Sequence, residues 1–168
     1  MTVLIAAVGA VIAAIVETSV FPELQVAGVN PDLVLVLTIV SAMLLGVEDG
    51  LIWAFLGGFM LDMLTPGNRA AGSTTLTLLI VTGLALLIVR VSSPPRILTV
   101  VIAVFALTFL YQALLLVLLA LTSGVGLVSV PVGSLVLRAV LNAVLAAAVA
   151  WGVRALYLRF GPAERTDW

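Results

Sequence analysis

The chain contains no cysteine and no histidine. Their absence removes disulfides, thiolate nucleophiles, imidazole bases and the usual ligand sets for zinc, copper and haem. Lysine is also absent, so all 7 positive charges are arginine. Schiff-base chemistry and a phosphate-binding P-loop go with it. Charge of either sign is scarce, at 9% of 168 residues, where soluble domains average about 25%. A net charge of −1 gives no electrostatic footprint for nucleic acid. No nucleophile–base pair, catalytic acid pair or metal-ligating set stands out, so neither an enzyme nor a cofactor is expected.

What is present is apolar. Hydrophobic residues make up 64% of the chain, and the mean hydropathy is +1.38. Such a chain would aggregate in water; its solvent is the lipid bilayer. Six apolar segments, at about 2–20, 31–46, 50–64, 73–91, 96–122 and 133–158, predict one all-α, polytopic domain with six spans. A crossing takes about 20 residues, so the second and third segments are short. A helix over 31–46 would be about 24 Å long at about 1.5 Å per residue. Both are read as short spans that thin the bilayer or are shielded by neighbours. The rival reading, a re-entrant hairpin, would bury Glu48 and Asp49 in mid-membrane, at a cost of several kcal/mol. The start of the chain has no basic segment, which predicts an uncleaved first span.

Arginine distribution orients the bundle. Six spans put both termini on one side, with Arg90, Arg96, Arg154, Arg159 and Arg165. Arg69 lies in a loop on the other side. Both termini are therefore expected in the cytoplasm. Trp53 and Trp151 would then mark the cytoplasmic interface, and the basic C-terminal turn would meet anionic lipid headgroups.

The same topology brings polar residues to one level on the outer side: Glu17, Asp32, Asp62, Arg69 and Arg138, with Asn142 one turn beyond. Charges in a span pair or line a cavity. The plainest expectation is internal ion pairing, with Asp62–Arg138 as the pair. The alternatives are a polar surface for a partner or ligand, and proton or ion coupling through Asp62. Asn30-Pro31-Asp32 reads as helix-start chemistry: an Asn cap, Pro at the first helical position, and Asp at the positive end of the dipole. Glu48-Asp49 reads as a solvated tight turn. Thr74, Thr75, Thr77 and Thr82 are expected to bond their own helix backbone.

Gly46, Gly50, Ala54 and Gly58 recur every four residues, with Gly57 beside them and Asp62 next in the row. Small residues on one face allow close helix approach, either within the chain or as a groove for a partner helix. Ala139, Ala143 and Ala147 form a second such row.

The chain resembles the rod shape-determining MreD family of bacteria. The carrying residues are Phe21-Pro22, Gly28, Pro31-Asp32-Leu33, Gly50, Gly57, Leu61-Asp62 and Pro66, within residues 17–72. The remainder is similar only in hydropathy and span count. The resemblance implies a non-enzymatic subunit of the cell-elongation (rod) complex in the bacterial cytoplasmic membrane. It implies MreC, a single-span protein with a large extracytoplasmic part, as direct partner. MreB, RodA and a class B penicillin-binding protein would be reached through it. MreD proteins also resemble, in fold, the S-components of energy-coupling-factor vitamin transporters, and that supplies the alternative function: a substrate-binding subunit with an outward-facing cavity. The low aromatic content (7%) and the missing histidine count against a vitamin or metal cavity. The mechanism expected from the residues is a partner's transmembrane helix packed into the small-residue groove of spans two and three.

Overall fold

In the computed structural model, residues 3–23, 25, 27–65, 72–91, 96–123 and 131–160 are described. They are helical almost throughout, and four helices are long and apolar enough to cross a membrane. These are α1 (Val3–Ser19), α5 (Ser73–Val91), α6 (Ile97–Ser123) and α7 (Val132–Phe160). The chain is thus built as a multi-pass helical membrane protein. Between α1 and α5 lie α2 (Leu33–Leu44), α3 (Val47–Ile52) and α4 (Gly58–Leu64). One π-helical stretch, Trp53–Gly57, joins α3 to α4 without a break. The helical run 47–64 is therefore about 27 Å long at about 1.5 Å per residue.

α2 is the hub. It packs against α1, α3, α5, α6 and α7. Nine of its residues are buried: Val34, Leu35, Val36, Thr38, Ile39, Val40, Ser41, Ala42 and Met43. A helix apolar all round belongs inside a bundle. Burial also explains its length: α2 spans about 18 Å, and both its ends are enclosed by longer neighbours instead of lipid. The outer helices carry the lipid-facing side chains, among them Leu4, Val8, Ile12 and Ile15 on α1 and Val136, Val140 and Val144 on α7.

The small-residue row is filled from within. A Cβ on Gly50 would lie 2.6 Å from the Ala42 Cα; one on Gly57 would lie 2.6 Å from Val34 Cγ1; one on Gly58 would lie 2.6 Å from the Thr75 Cα. Ala54 is wholly buried. Gly50 and Gly57 thus receive α2, and Gly58 receives α5. The row is an internal seam, and the expected open groove for a partner helix is corrected accordingly. Gly46 is not part of it: its φ of 112° forms the tight link that reverses the chain from α2 into α3. Glu48 and Asp49 are not the turn either. They occupy the first turn of α3, where the helix dipole favours acids, and Asp49 is buried. On α7 the buried row runs Ala139, Asn142, Ala146 and Ala150. Stepping by three or four keeps it in phase with the 3.6-residue turn, whereas the expected Ala143 and Ala147 drift to the flank.

Trp53 corrects the aromatic-belt expectation. It is buried, with its indole stacked where Gly9 of α1 leaves room: a Cβ at Gly9 would come within 2.9 Å of Cζ2. Trp151 is 70% exposed, as an interfacial tryptophan would be.

The candidate functional site at the distal end

The C-terminus of α1, the N-termini of α2, α5 and α7, and the C-terminus of α4 meet at the end of the bundle away from Val3. This distal end presents a difficulty of backbone chemistry. The first N–H groups of a helix have no intrahelical acceptor, and an N-terminus buried among apolar helices has no water to supply one. Carboxylates from neighbouring helices supply it twice.

Glu17 of α1 accepts the Val34 N–H on Oε2 at 2.7 Å. Val34 is the second residue of α2, the position a capping side chain serves. Asp62 of α4 does the same for α5: Oδ1 accepts the Thr74 N–H at 3.0 Å, and Oδ2 accepts the Thr75 N–H at 3.1 Å and its hydroxyl at 2.8 Å. Each acid thus ties the start of one helix to another. Thr77 and Thr82 bond back to Ser73 and Leu78 of their own helix, as threonines in spans do.

Asn30 and Pro31 are not the cap and first residue of α2. The helix begins at Leu33, and Asp32, at φ −99° and ψ 91°, is the capping residue without a capping side-chain bond. Glu17 takes that role, and the Asp32 carboxylate turns toward α6 and α7. Asn142 donates to its Oδ2 at 3.1 Å, while the Asp32 backbone N–H donates to Asn142 Oδ1 at 2.8 Å. Asn142 also donates to the Thr108 hydroxyl at 3.2 Å, and that hydroxyl donates to the Val104 carbonyl at 2.7 Å. Asn142 is fully buried, so one amide stitches α2, α6 and α7 together. Gln112 of α6 reaches Asp32 Oδ2 at 3.5 Å.

Arg138 pairs with Asp32, at 3.4 Å between Nη1 and Oδ1. The expected Asp62–Arg138 pair does not form. Both acids lie at the same depth, but Asp62 is committed to α5, on the far side of α2 from α7. The Arg138 side chain is 32% exposed, and among the described residues this long contact is its ion pair. Part of its guanidinium therefore remains at the surface.

Above this network opens a cleft of about 330 Å³. Glu17, Asp32, Gln112 and Arg138 form its polar part; Pro22, Leu61, Leu64 and Leu115 form its apolar wall. Of the anticipated site residues, Glu17, Asp32 and Arg138 line the cleft; Asn142 holds Asp32 from below and Asp62 holds the α5 edge. Arg69 and Pro66 lie outside the described residues. Thr108, Tyr111 and Gln112 join the site without having been anticipated; three polar groups within one turn of a long apolar run were the available signal.

In comparison with known proteins, the chain matches no family model, no curated protein and no solved structure. Among the described residues no group of acids could hold a metal ion.

Proposed function

We propose that this chain is a non-enzymatic membrane subunit of the bacterial cell-elongation complex, of the MreD type. On this reading it binds MreC and helps organise peptidoglycan synthesis, with MreB, RodA and a class B penicillin-binding protein reached through MreC. One observation carries the reading. Pro22, Pro31, Asp32 and Leu61, which belong to the motif behind the resemblance and are scattered along the chain, line a single cleft. Motif residues that meet at one surface are what a partner-binding motif requires.

On this reading α2 and the run 47–64 would add two short crossings to the four long helices, α1, α5, α6 and α7, making six in an S-component-like bundle. Arg90, Arg96 and Arg154 gather at the end opposite the cleft, which would put both termini in the cytoplasm and the cleft outside. The partner's segment just beyond its single span would seat against the leucine wall, with Arg138 and Asp32 fixing its register. This replaces the small-residue groove as the docking site, because α2 and α5 already occupy that seam.

The cleft volume also favours a second reading. About 330 Å³ is within the range of small-molecule sites, as an S-component holding a vitamin would need. The test is a pull-down of the tagged protein from its native membranes in mild detergent, with mass spectrometry of what co-purifies. A stoichiometric single-span protein with a coiled-coil extracytoplasmic part supports the scaffold. ATPase subunits, or a bound vitamin without such a partner, support the transport reading.

A further inference from the structure

The opposite end of the bundle carries a different kind of site. Between α6 and α7 a groove of about 270 Å³ is lined by Ile97, Trp151, Arg154 and Ala155. Its walls are apolar and its one charged member is a guanidinium. Arg96 immediately precedes Ile97 in the chain, at the start of α6, so a second arginine adjoins the groove in sequence. Arg96 and Arg154 are both exposed, and among the described residues neither is in an ion pair. Among the described residues the acids of this end, Glu48 and Asp49, are on α3, which packs mainly against α1, α2 and α5. Among the described residues, positive charge thus gathers on the flank that holds the groove.

Trp151 sets the depth. At 70% exposure on a helix that faces lipid, its indole belongs at the boundary between acyl chains and headgroups. The arginines then lie at headgroup level, and the apolar wall at the level of the first acyl carbons.

We infer that the α6–α7 groove is a binding site for an anionic phospholipid, its phosphate held by Arg154 with Arg96 adjoining at the start of α6, and its acyl chain laid along Ile97 and Trp151. Arginine suits this task, because its planar fork of donors matches phosphate oxygens. The apolar groove distinguishes the occupant from a free phosphate ion, which has no use for such a wall. The site requires only that the chain sit in a bilayer and is independent of the cell-elongation reading.

The test uses the whole protein in phosphatidylcholine vesicles. A small fraction of brominated-chain phosphatidylglycerol, or of brominated-chain phosphatidylcholine, is added as quencher. Trp151 fluorescence is isolated by subtracting the Trp151→Phe protein. The anionic quencher should act at a mole fraction lower by roughly tenfold. Arg96→Gln with Arg154→Gln should bring the two quenchers to parity, while Arg96→Lys with Arg154→Lys should retain most of the preference. Inorganic phosphate should not compete. Parity in the unmodified protein overturns the site, as does a preference that survives the double glutamine variant, or displacement of the lipid by inorganic phosphate.

Discussion

Glu17 on α1 caps α2 from outside: its Oε2 holds the Val34 N–H at 2.7 Å. This contact decides how the whole distal end is arranged, because it releases the Asp32 carboxylate from capping duty and lets it bind Asn142 and Arg138. Removing the acceptor should therefore be costly, and changing only its charge should be less so. Glu17→Leu is expected to destabilise the protein by about 1–3 kcal/mol, the cost of an unsatisfied buried N–H. Glu17→Gln keeps a carbonyl oxygen for the same bond and should retain most of the stability. Unfolding in detergent micelles, by heat or by added dodecyl sulfate, measures both.

Asn142 and Asp32 form a reciprocal pair through two hydrogen bonds, so their substitutions should not add. Asn142→Ala and Asp32→Ala are each expected to cost about 1–3 kcal/mol, and the double variant less than the sum by about 0.5–3 kcal/mol, the range for residues in contact. Strict additivity in a double-mutant cycle would remove Asn142 as the hub of the network.

Glycines in the internal seam should behave unlike glycines outside it. Gly50→Ala and Gly58→Ala each drive a methyl into a neighbouring backbone and should cost about 1–3 kcal/mol. Gly83 of α5 has nothing within 4 Å of an added Cβ. Gly83→Ala should be neutral or stabilising by up to about 1 kcal/mol. If the seam variants are as stable as Gly83→Ala, α2 and α5 do not fill it.

Arg138 separates stability from recognition. Its contact with Asp32 is long and partly exposed, so Arg138→Ala should change stability by no more than about 1 kcal/mol. The same substitution should sharply reduce recovery of the membrane partner in a pull-down, which is what distinguishes a docking residue from a structural one.

Hydropathy alone locates the apolar segments to within a few residues, because long runs such as Ile97–Ser123 admit no other reading. It also brings Glu17, Asp32 and Arg138 to one level, since topology fixes depth. Topology does not fix position around the bundle axis. Depth alone therefore pairs Asp62 with Arg138, whereas it belongs to α5, and it leaves the glycine row readable either as an internal seam or as an open groove. The hub position of α2 was hidden for a related reason: a short apolar helix reads the same whether lipid or other helices surround it. Capping in trans was equally invisible, because its acceptors come from other helices, and sequence rules for caps are local.

On the proposed reading, the distal cleft receives the partner. Photo-crosslinking in native membranes tests it most directly, with the photoreactive residue at Leu64 on the cleft wall and, as control, at Val144 on the lipid-facing side of α7. Leu64 should capture an MreC-type single-span protein through its juxtamembrane segment, Val144 should capture mainly lipid, and Arg138→Ala should weaken the first adduct. Capture of that partner at Val144 with none at Leu64 would contradict it.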